Sequence, residues 1–293
     1  MLNRKTSIPV SRAVPFEFPD DIHRHWNRDE PELSAMANGA SLTMPYLEPF
    51  LIKTIRDCGT LIDDPLLKEE IEGFVQQEAH HFKAHRRFND LLKQNGYPEL
   101  AEFEQKMKQA YIRLGQNSLQ KRMAYTAGFE AMTMGITKWI IGDRVKLFAG
   151  SDPRVASFMI WHMVEETEHK CVAFDAYKAV FGSSLKSYWH RMLGVFHGSL
   201  HVLWLARRGY HIMLKKDGLW RNLASRWRLW VRICWFAAAA GPYLIRAALP
   251  GHDPRQERDL QWVLDWMDGY EGSDKTKIPL VDTHHPDIPV PFH

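Results

Sequence analysis

The sequence predicts an all-α protein, and three observations lead there. From residue 31 onward apolar residues recur at spacings of three and four, runs of Val, Ile and Thr at period two are missing, and segments end at helix punctuation such as Asn95-Gly96 and Phe181-Gly182. A chain of 293 residues, 45% hydrophobic and 25% charged, suits a large buried core and excludes a disordered tail or a disulfide-stapled mini-domain.

Residues 1–30 read as an irregular, proline-containing arm with no apolar run of the kind a secretory signal needs. A helix opens near Thr43-Met44-Pro45, with threonine as the cap and proline in the first turn, and runs to Gly59; Pro49 predicts an irregular start. The next runs from Asp64-Pro65 to the stop at Asn95-Gly96. A short acidic segment around Glu99 to Gln105 leads into a helix over 104–117, and another covers Ser118 to Ile141. The fifth starts at Ser151-Asp152-Pro153, an N-cap followed by proline, and continues to Phe181. Two basic, aromatic helices follow at 185–216 and 219–249. The predicted organisation is thus an arm (1–30), a bundle (31–184), two helices packed on it (185–250) and a polar tail (251–293).

The formal charge of +3 conceals two unlike parts. Residues 185–250 hold eleven Lys/Arg and one acid, Asp217, so they carry +10 and the remainder carries −7. The same stretch holds six of the eleven tryptophans. Tryptophan interleaved with arginine suits either bundle completion or a membrane interface, and the apolar content is too high for nucleic-acid binding, which is not expected. The most apolar run, Ile233 to Ile245, is too short to span a bilayer. Cys58, Cys171 and Cys234 are too scattered for a disulfide framework, which points to a reducing cytoplasm, with the basic helices peripheral to the inner face of the membrane.

Four helices carry a glutamate in an otherwise apolar turn, in a repeated order: Glu48, then Glu78 with His81, then Glu130, then Glu166 with His169. A spacing of three puts carboxylate and imidazole on one helix face, about one turn apart, so both reach one metal centre. Four glutamates and two histidines from four helices are the ligand set of ferritin-like dinuclear carboxylate proteins. Without metal, four buried acids would be costly or would protonate. His162, four residues before Glu166, extends that stripe and is a candidate seventh ligand; His85, four after His81, is a candidate support. Thr133 could line the pocket. Asp175 lies roughly 120° off the ligand face and could support a histidine only on a neighbouring helix, or else pair with Lys178. Glu165 and Glu168 read as solvent-facing or capping charges, and His80 as structural or surface.

The segments FVQQEAHHFKAHRRFN and IWHMVEETEHKCVAFDAYKAV, with MPYLEPFLIKTIRD before and GFEAMTMG between, resemble the bacterial "predicted metal-dependent hydrolase" family, a ferritin-like group. The likeness implies the same six ligands, Glu48, Glu78, His81, Glu130, Glu166 and His169, and by its name it implies hydrolysis. More distantly, the stripe His162, Glu166, His169 is similar to the last ligand helix of the di-iron arylamine N-oxygenases, which implies His162 as a ligand.

Carboxylate-rich sites without thiolate suit iron or manganese better than structural zinc. The residues therefore predict two Fe ions (or Mn, or mixed Mn/Fe), with Glu78 and Glu166 as the shared, catalytic carboxylates, activating O2 to oxidise a small, lipid-like substrate. No separate acid or base for hydrolysis stands out in the sequence, which favours oxidation. Expected partners are O2, that substrate, a redox partner, a membrane surface through 185–250 and, compatibly, a second copy in a homodimer. The alternatives are a dinuclear metal-dependent hydrolase and a non-catalytic metal- or membrane-binding protein.

Overall fold

The computed structural model describes residues 8–292, and among them there is no strand; residues 1–7 of the expected arm lie outside the described residues. The helices are α1 (Pro31–Ser41), α2 (Met44–Gly59), α3 (Pro65–Gln94), α4 (Leu100–Gly115), α5 (Leu119–Gly142), α6 (Arg144–Phe148), α7 (Pro153–His169), α8 (Val172–Phe181), α9 (Leu185–Lys216), α10 (Leu223–Ala248) and α11 (Gln261–Glu271). The all-α expectation holds.

Several boundaries follow from local chemistry. Asp64 and Asp152 accept backbone N–H groups of α3 and α7, each with proline in the first turn. Ser184 and Asn222 cap α9 and α10 in the same way. Such a cap contributes about 1 kcal/mol by leaving one fewer orphan N–H.

Other expectations need correction. Thr43 is not a side-chain cap: α1 ends two residues earlier, and the Thr43 hydroxyl donates back to Ala40 O at 2.7 Å. Pro49 sits inside α2, which runs unbroken to Gly59 at the cost of one ladder hydrogen bond. The helix expected over 153–181 is two helices, broken at Lys170 and Cys171 directly after His169. The polar tail contains α11, which buries Val263, Trp266 and Tyr270 on one face.

The centre is formed by α2, α3, α5 and α7, with α8 continuing the last. Apolar residues such as Leu47, Phe74, Phe129 and Trp161 fill the space between them. The arm is not loose. Arg12, Val14 and Phe16 are buried in alternation with exposed Ala13, Pro15 and Glu17, so an extended strip of chain closes over α3 and α7.

The basic block divides in two. α9 completes the bundle, lying on α5 and α1 with backbone against backbone: a Cβ at Gly128 would stand 2.1 Å from Gly194 O, and one at Gly198 2.6 Å from Tyr125 O. Because carbonyls rather than flexible side chains are in the way, Gly128→Ala must push α9 outward. It is expected to destabilise the protein by ~1–3 kcal/mol or more, read as a lower urea midpoint at unchanged slope. α10, in contrast, buries only one side, with Leu229, Ala240 and Tyr243, and leaves Leu223, Trp227 and Trp230 exposed. No described helix is long and apolar enough to cross a membrane.

Candidate metal centre

Helix packing brings seven donors together: Glu48 from α2, Glu78 and His81 from α3, Glu130 from α5, and His162, Glu166 and His169 from α7. None is more than 4% exposed. Their ligand atoms form overlapping groups, within each of which all lie within 4.8 Å of one another. Glu78, Glu130, Glu166 and His169 make one; Glu48, Glu78 and His81 make another; His162 joins His81 and Glu166 in a third, and Glu48 and His85 in a fourth. Glu48, Glu78, His81, His162 and Glu166 each belong to two of these groups, so the groups run into one another and form one continuous cluster.

Whether the cluster suits metal can be judged from its unpaired atoms. Both carboxylate oxygens of Glu48, Glu78 and Glu130, and Nδ1 of His81, are buried without a hydrogen-bond partner. Leaving such atoms unpaired costs several kcal/mol in an interior, and buried acids without cations are costlier still. Positive ions among them would satisfy all at once, so the donor set fits a pair of divalent cations.

Electrostatics agree. Burial pushes Glu48, Glu78 and Glu130 well above the ordinary carboxylate range, and neighbouring carboxylates push them further. Burial also acts to raise Glu166, but the charge of His169 and its hydrogen bond to Glu166 hold that carboxyl well below the range. Burial opposes charge on His169, yet Glu166 and Glu130 outweigh it and raise its pKa to about 9. His81 and His85 are driven well below the usual imidazole value by burial and by neighbouring His162, which leaves them neutral.

These directions carry a pH prediction for metal-stripped protein. Glu48, Glu78 and Glu130 hold protons in the folded state that an unfolded chain releases near pH ~4.3, and His169 holds one beyond its unfolded value of ~6.5. The folded state then binds more protons, so stability falls as pH rises. Glu166, shifted down, opposes this only at acid pH, and the buried histidines held neutral, His81 and His85 among them, oppose it up to their unfolded value of ~6.5. Melting temperatures of stripped protein should therefore drop between pH ~6.5 and ~8, while the metal-loaded form changes little over that range. A stripped protein that becomes more stable across that window contradicts the assignment.

The ligand histidines are held from behind by groups that the sequence did not flag. His81 Nε2–H donates to Glu165 Oε2 at 2.8 Å, which leaves Nδ1 and its lone pair for the cluster. Glu165, expected to face solvent or cap a helix, is fully buried; burial pushes it up to about 8 although Arg12 pulls it down. Arg12, 3% exposed, gives its backbone N–H to Glu165 Oε1 at 2.7 Å and both terminal nitrogens to Glu168 at 2.7 and 3.0 Å. Glu168 also accepts from Gln77 at 2.7 Å, so its expected solvent role is corrected as well. His80 meets Ser11 of the arm at 2.8 Å.

A second support is directional. Asn89 Nδ2 donates to Ser41 O at 3.0 Å, which turns Asn89 Oδ1 toward the Ser41 hydroxyl, and that hydroxyl donates to it at 2.7 Å. Ser41 Oγ must then accept from His85 Nδ1–H, and His85 Nε2 must accept from His162 Nδ1–H, each at 2.8 Å. His162 thus presents only Nε2 to the cluster, 2.8 Å from Glu166 and 3.8 Å from Glu48.

Two other sequence candidates sit apart from this chemistry. The Thr133 hydroxyl donates to Glu130 O, one turn back on its own helix, at 2.8 Å. Asp175 supports no ligand histidine in this arrangement; it pairs with Arg255 from the segment between α10 and α11.

An all-α protein whose central helices bury such a cluster is, by class, a metal-binding helical-bundle protein. Residues 10–258 match the family model described as "Predicted metal-dependent hydrolase", and the chain belongs to that family. Comparison with the curated proteins and with the solved structures gives no match. The family overturns the oxidative expectation: it favours hydrolysis over O2 activation, and O2 and a redox partner have no part in such a reaction. The likeness of the α7 stripe to the arylamine N-oxygenases is left without support. The premise behind that expectation also fails, because non-ligand groups able to hold protons, Glu165 and His85, adjoin the ligands once the helices pack.

Proposed function

We propose that this protein hydrolyses an ester or amide bond at a pair of divalent ions held between α2, α3, α5 and α7. The observation that carries the reading is the buried, unpaired donor set in a chain of the metal-dependent hydrolase family. Two ions, manganese or iron by the hardness of these donors, would make an attacking water acidic and polarise the scissile carbonyl.

The residues have distinct tasks. Glu78 and Glu166, each in two of the donor groups, would be among the carboxylates that hold the ions. His81, aimed by Glu165, and His169 each serve one position. His162 is a seventh ligand, because the chain through His85, Ser41 and Asn89 keeps its proton on Nδ1 and turns Nε2 inward. Glu48 and Glu130, whose carboxylate oxygens have no hydrogen bond to hold them, would complete the coordination of the ions. The surrounding apolar side chains exclude bulk water and strengthen each of these interactions.

The test is chelation and refilling under argon. Stripped protein should be inactive on a chromogenic acetyl ester and should recover on adding Mn2+ or Fe2+. Hydrolysis that survives chelation, or turnover that requires oxygen, overturns the reading.

A further inference from the structure

α9 and α10 lie side by side on α5, α9 through Gly194 and Gly198 and α10 through Ala240 and Tyr243. They run antiparallel. Near the start of α9, Tyr188 donates to Ala248 O at 3.0 Å and Arg191 to Ala247 O at 2.6 Å, both at the end of α10. Near the end of α9, Arg207 and Tyr210 share a groove with Trp230 and Ile233 from the first half of α10.

The sides turned away from α5 are apolar. On α9, Leu185, Trp189, Leu193, Phe196, Leu200 and Trp204 recur every three or four residues and are 40–73% exposed. At ~100° per residue they fall within one arc of ~100°, opposite Gly194 and Gly198, and make a stripe ~28 Å long. On α10, Leu223, Trp227, Val231 and Ile245 repeat the pattern at 45–77% exposed, opposite Ala240 and Tyr243. Single exposed apolar side chains are ordinary, but two neighbouring stripes form a patch of the kind that marks an interaction surface.

The charge around the stripes says what covers them. Asp217, the one acid in 185–250, has a side chain only 4% exposed and is held by Arg24, His25 and Tyr97. Of the eleven cations, Lys216, Arg228, Arg232 and Arg246 pair with acids from outside the block, and Arg191 is buried against backbone carbonyls. Lys186, Arg207, Arg208, Lys215, Arg221 and Arg226 are exposed and meet no acid among the described residues. An apolar face with tryptophans, bordered by free cations and lacking an exposed acid, is complementary to a surface that is apolar inside and negative at its rim.

We propose that the face formed by α9 and α10 docks on an anionic lipid surface. Both helices lie along the headgroup layer, the tryptophans and leucines enter it, and the free cations meet lipid phosphates. Neither helix needs to cross the bilayer, and neither is apolar enough to do so. A second copy of the chain is a poorer occupant, because a two-fold contact would press this cationic patch against itself with no acid to offset it. The docking is independent of the reaction at the metal centre.

The test is co-sedimentation of the full-length protein with vesicles of pure phosphatidylcholine and of mixed phosphatidylcholine and phosphatidylglycerol. Wild type should sediment with the mixed vesicles, stay in solution with the neutral ones, and be released as salt is raised. Arg208→Glu combined with Arg226→Glu should weaken binding to the mixed vesicles at least about tenfold. Leu200→Ser combined with Trp227→Ser, which leaves the charge unchanged, should weaken it about as much. All four positions are exposed, so both double variants should keep the wild-type melting temperature. Wild type that stays in solution with the mixed vesicles, equal sedimentation with both compositions, or unchanged binding by either variant overturns the proposal. A wild-type dimer that binds no vesicles, and that the serine variant converts to monomer, would assign the face to a second copy instead.

Discussion

Glu78→Ala is expected to yield protein with less than one metal ion per chain and hydrolysis lowered on the order of a thousandfold or more, the loss of about 4 kcal/mol of transition-state stabilisation. Glu78 is fully buried, neither of its oxygens has a hydrogen-bond partner, and it belongs to two of the overlapping donor groups. Its removal strips a ligand from both positions. The same variant makes a second, opposite prediction. In stripped protein Glu78 is a burden, since burial and the Glu166 charge push its pKa well up. Stripped Glu78→Ala should therefore melt no lower than stripped wild type, whereas wild type alone should gain stability on metal addition. Thermal melts with and without metal check both halves. A stripped variant that melts far below stripped wild type would mean that Glu78 holds the fold rather than a metal.

Arg12→Ala should cost ~3–5 kcal/mol, because it leaves the largely covered Glu168 carboxylate without its cation and with only Gln77 to accept from. The guanidinium also holds the arm against α7, so denaturant unfolding should show the loss directly. Metal affinity should suffer less, since an alanine keeps the backbone N–H that Glu165 accepts. Glu165→Gln divides the effects the other way. It retains the side-chain volume but weakens the acceptor behind His81, and metal affinity should fall 10–100-fold in a competition titration. If Arg12→Ala and Glu165→Gln shift stability and affinity in equal proportion, the arm and the ligand support are not separate devices.

The contrast between these residues shows which parts of the centre were legible in the sequence. Glu78 with His81, and Glu166 with His169, announce themselves because a spacing of three is a local property of one helix. Glu165 announces nothing. It is the neighbour of Glu166, so helical geometry turns it about 100° away from the ligand face, which in a simple bundle means solvent. Here that face is covered by an arm 153 residues earlier in the chain, and no local pattern encodes the contact. A partial signal did exist: Val14, Phe16 and Phe18 alternate with polar or small residues, the period of an extended strip with one buried side. Asp175 pairs with Arg255, 80 residues away, and no local pattern encodes that contact either. The i, i+3, i+7 pattern of Val263, Trp266 and Tyr270 would have revealed α11 inside the polar tail.

The charge division also acquires a structural meaning. The tightly packed part of the +10 block is α9, welded to α5 through Gly128, Gly194 and Gly198. Its exposed part is α10, where Arg226, Trp227 and Trp230 line a groove against α9. Part of the acidic remainder is the buried glutamate cluster, which counterions inside the bundle would neutralise.

The most direct test of the account is the metal content of purified protein, measured by elemental analysis against protein concentration and paired with hydrolytic activity as metal is titrated back. The account predicts saturation at two divalent ions per chain, with activity appearing as the pair fills. Full activity in protein holding no metal, or saturation without any donor among Glu48, Glu78, His81, Glu130, Glu166 and His169 being needed, would contradict it.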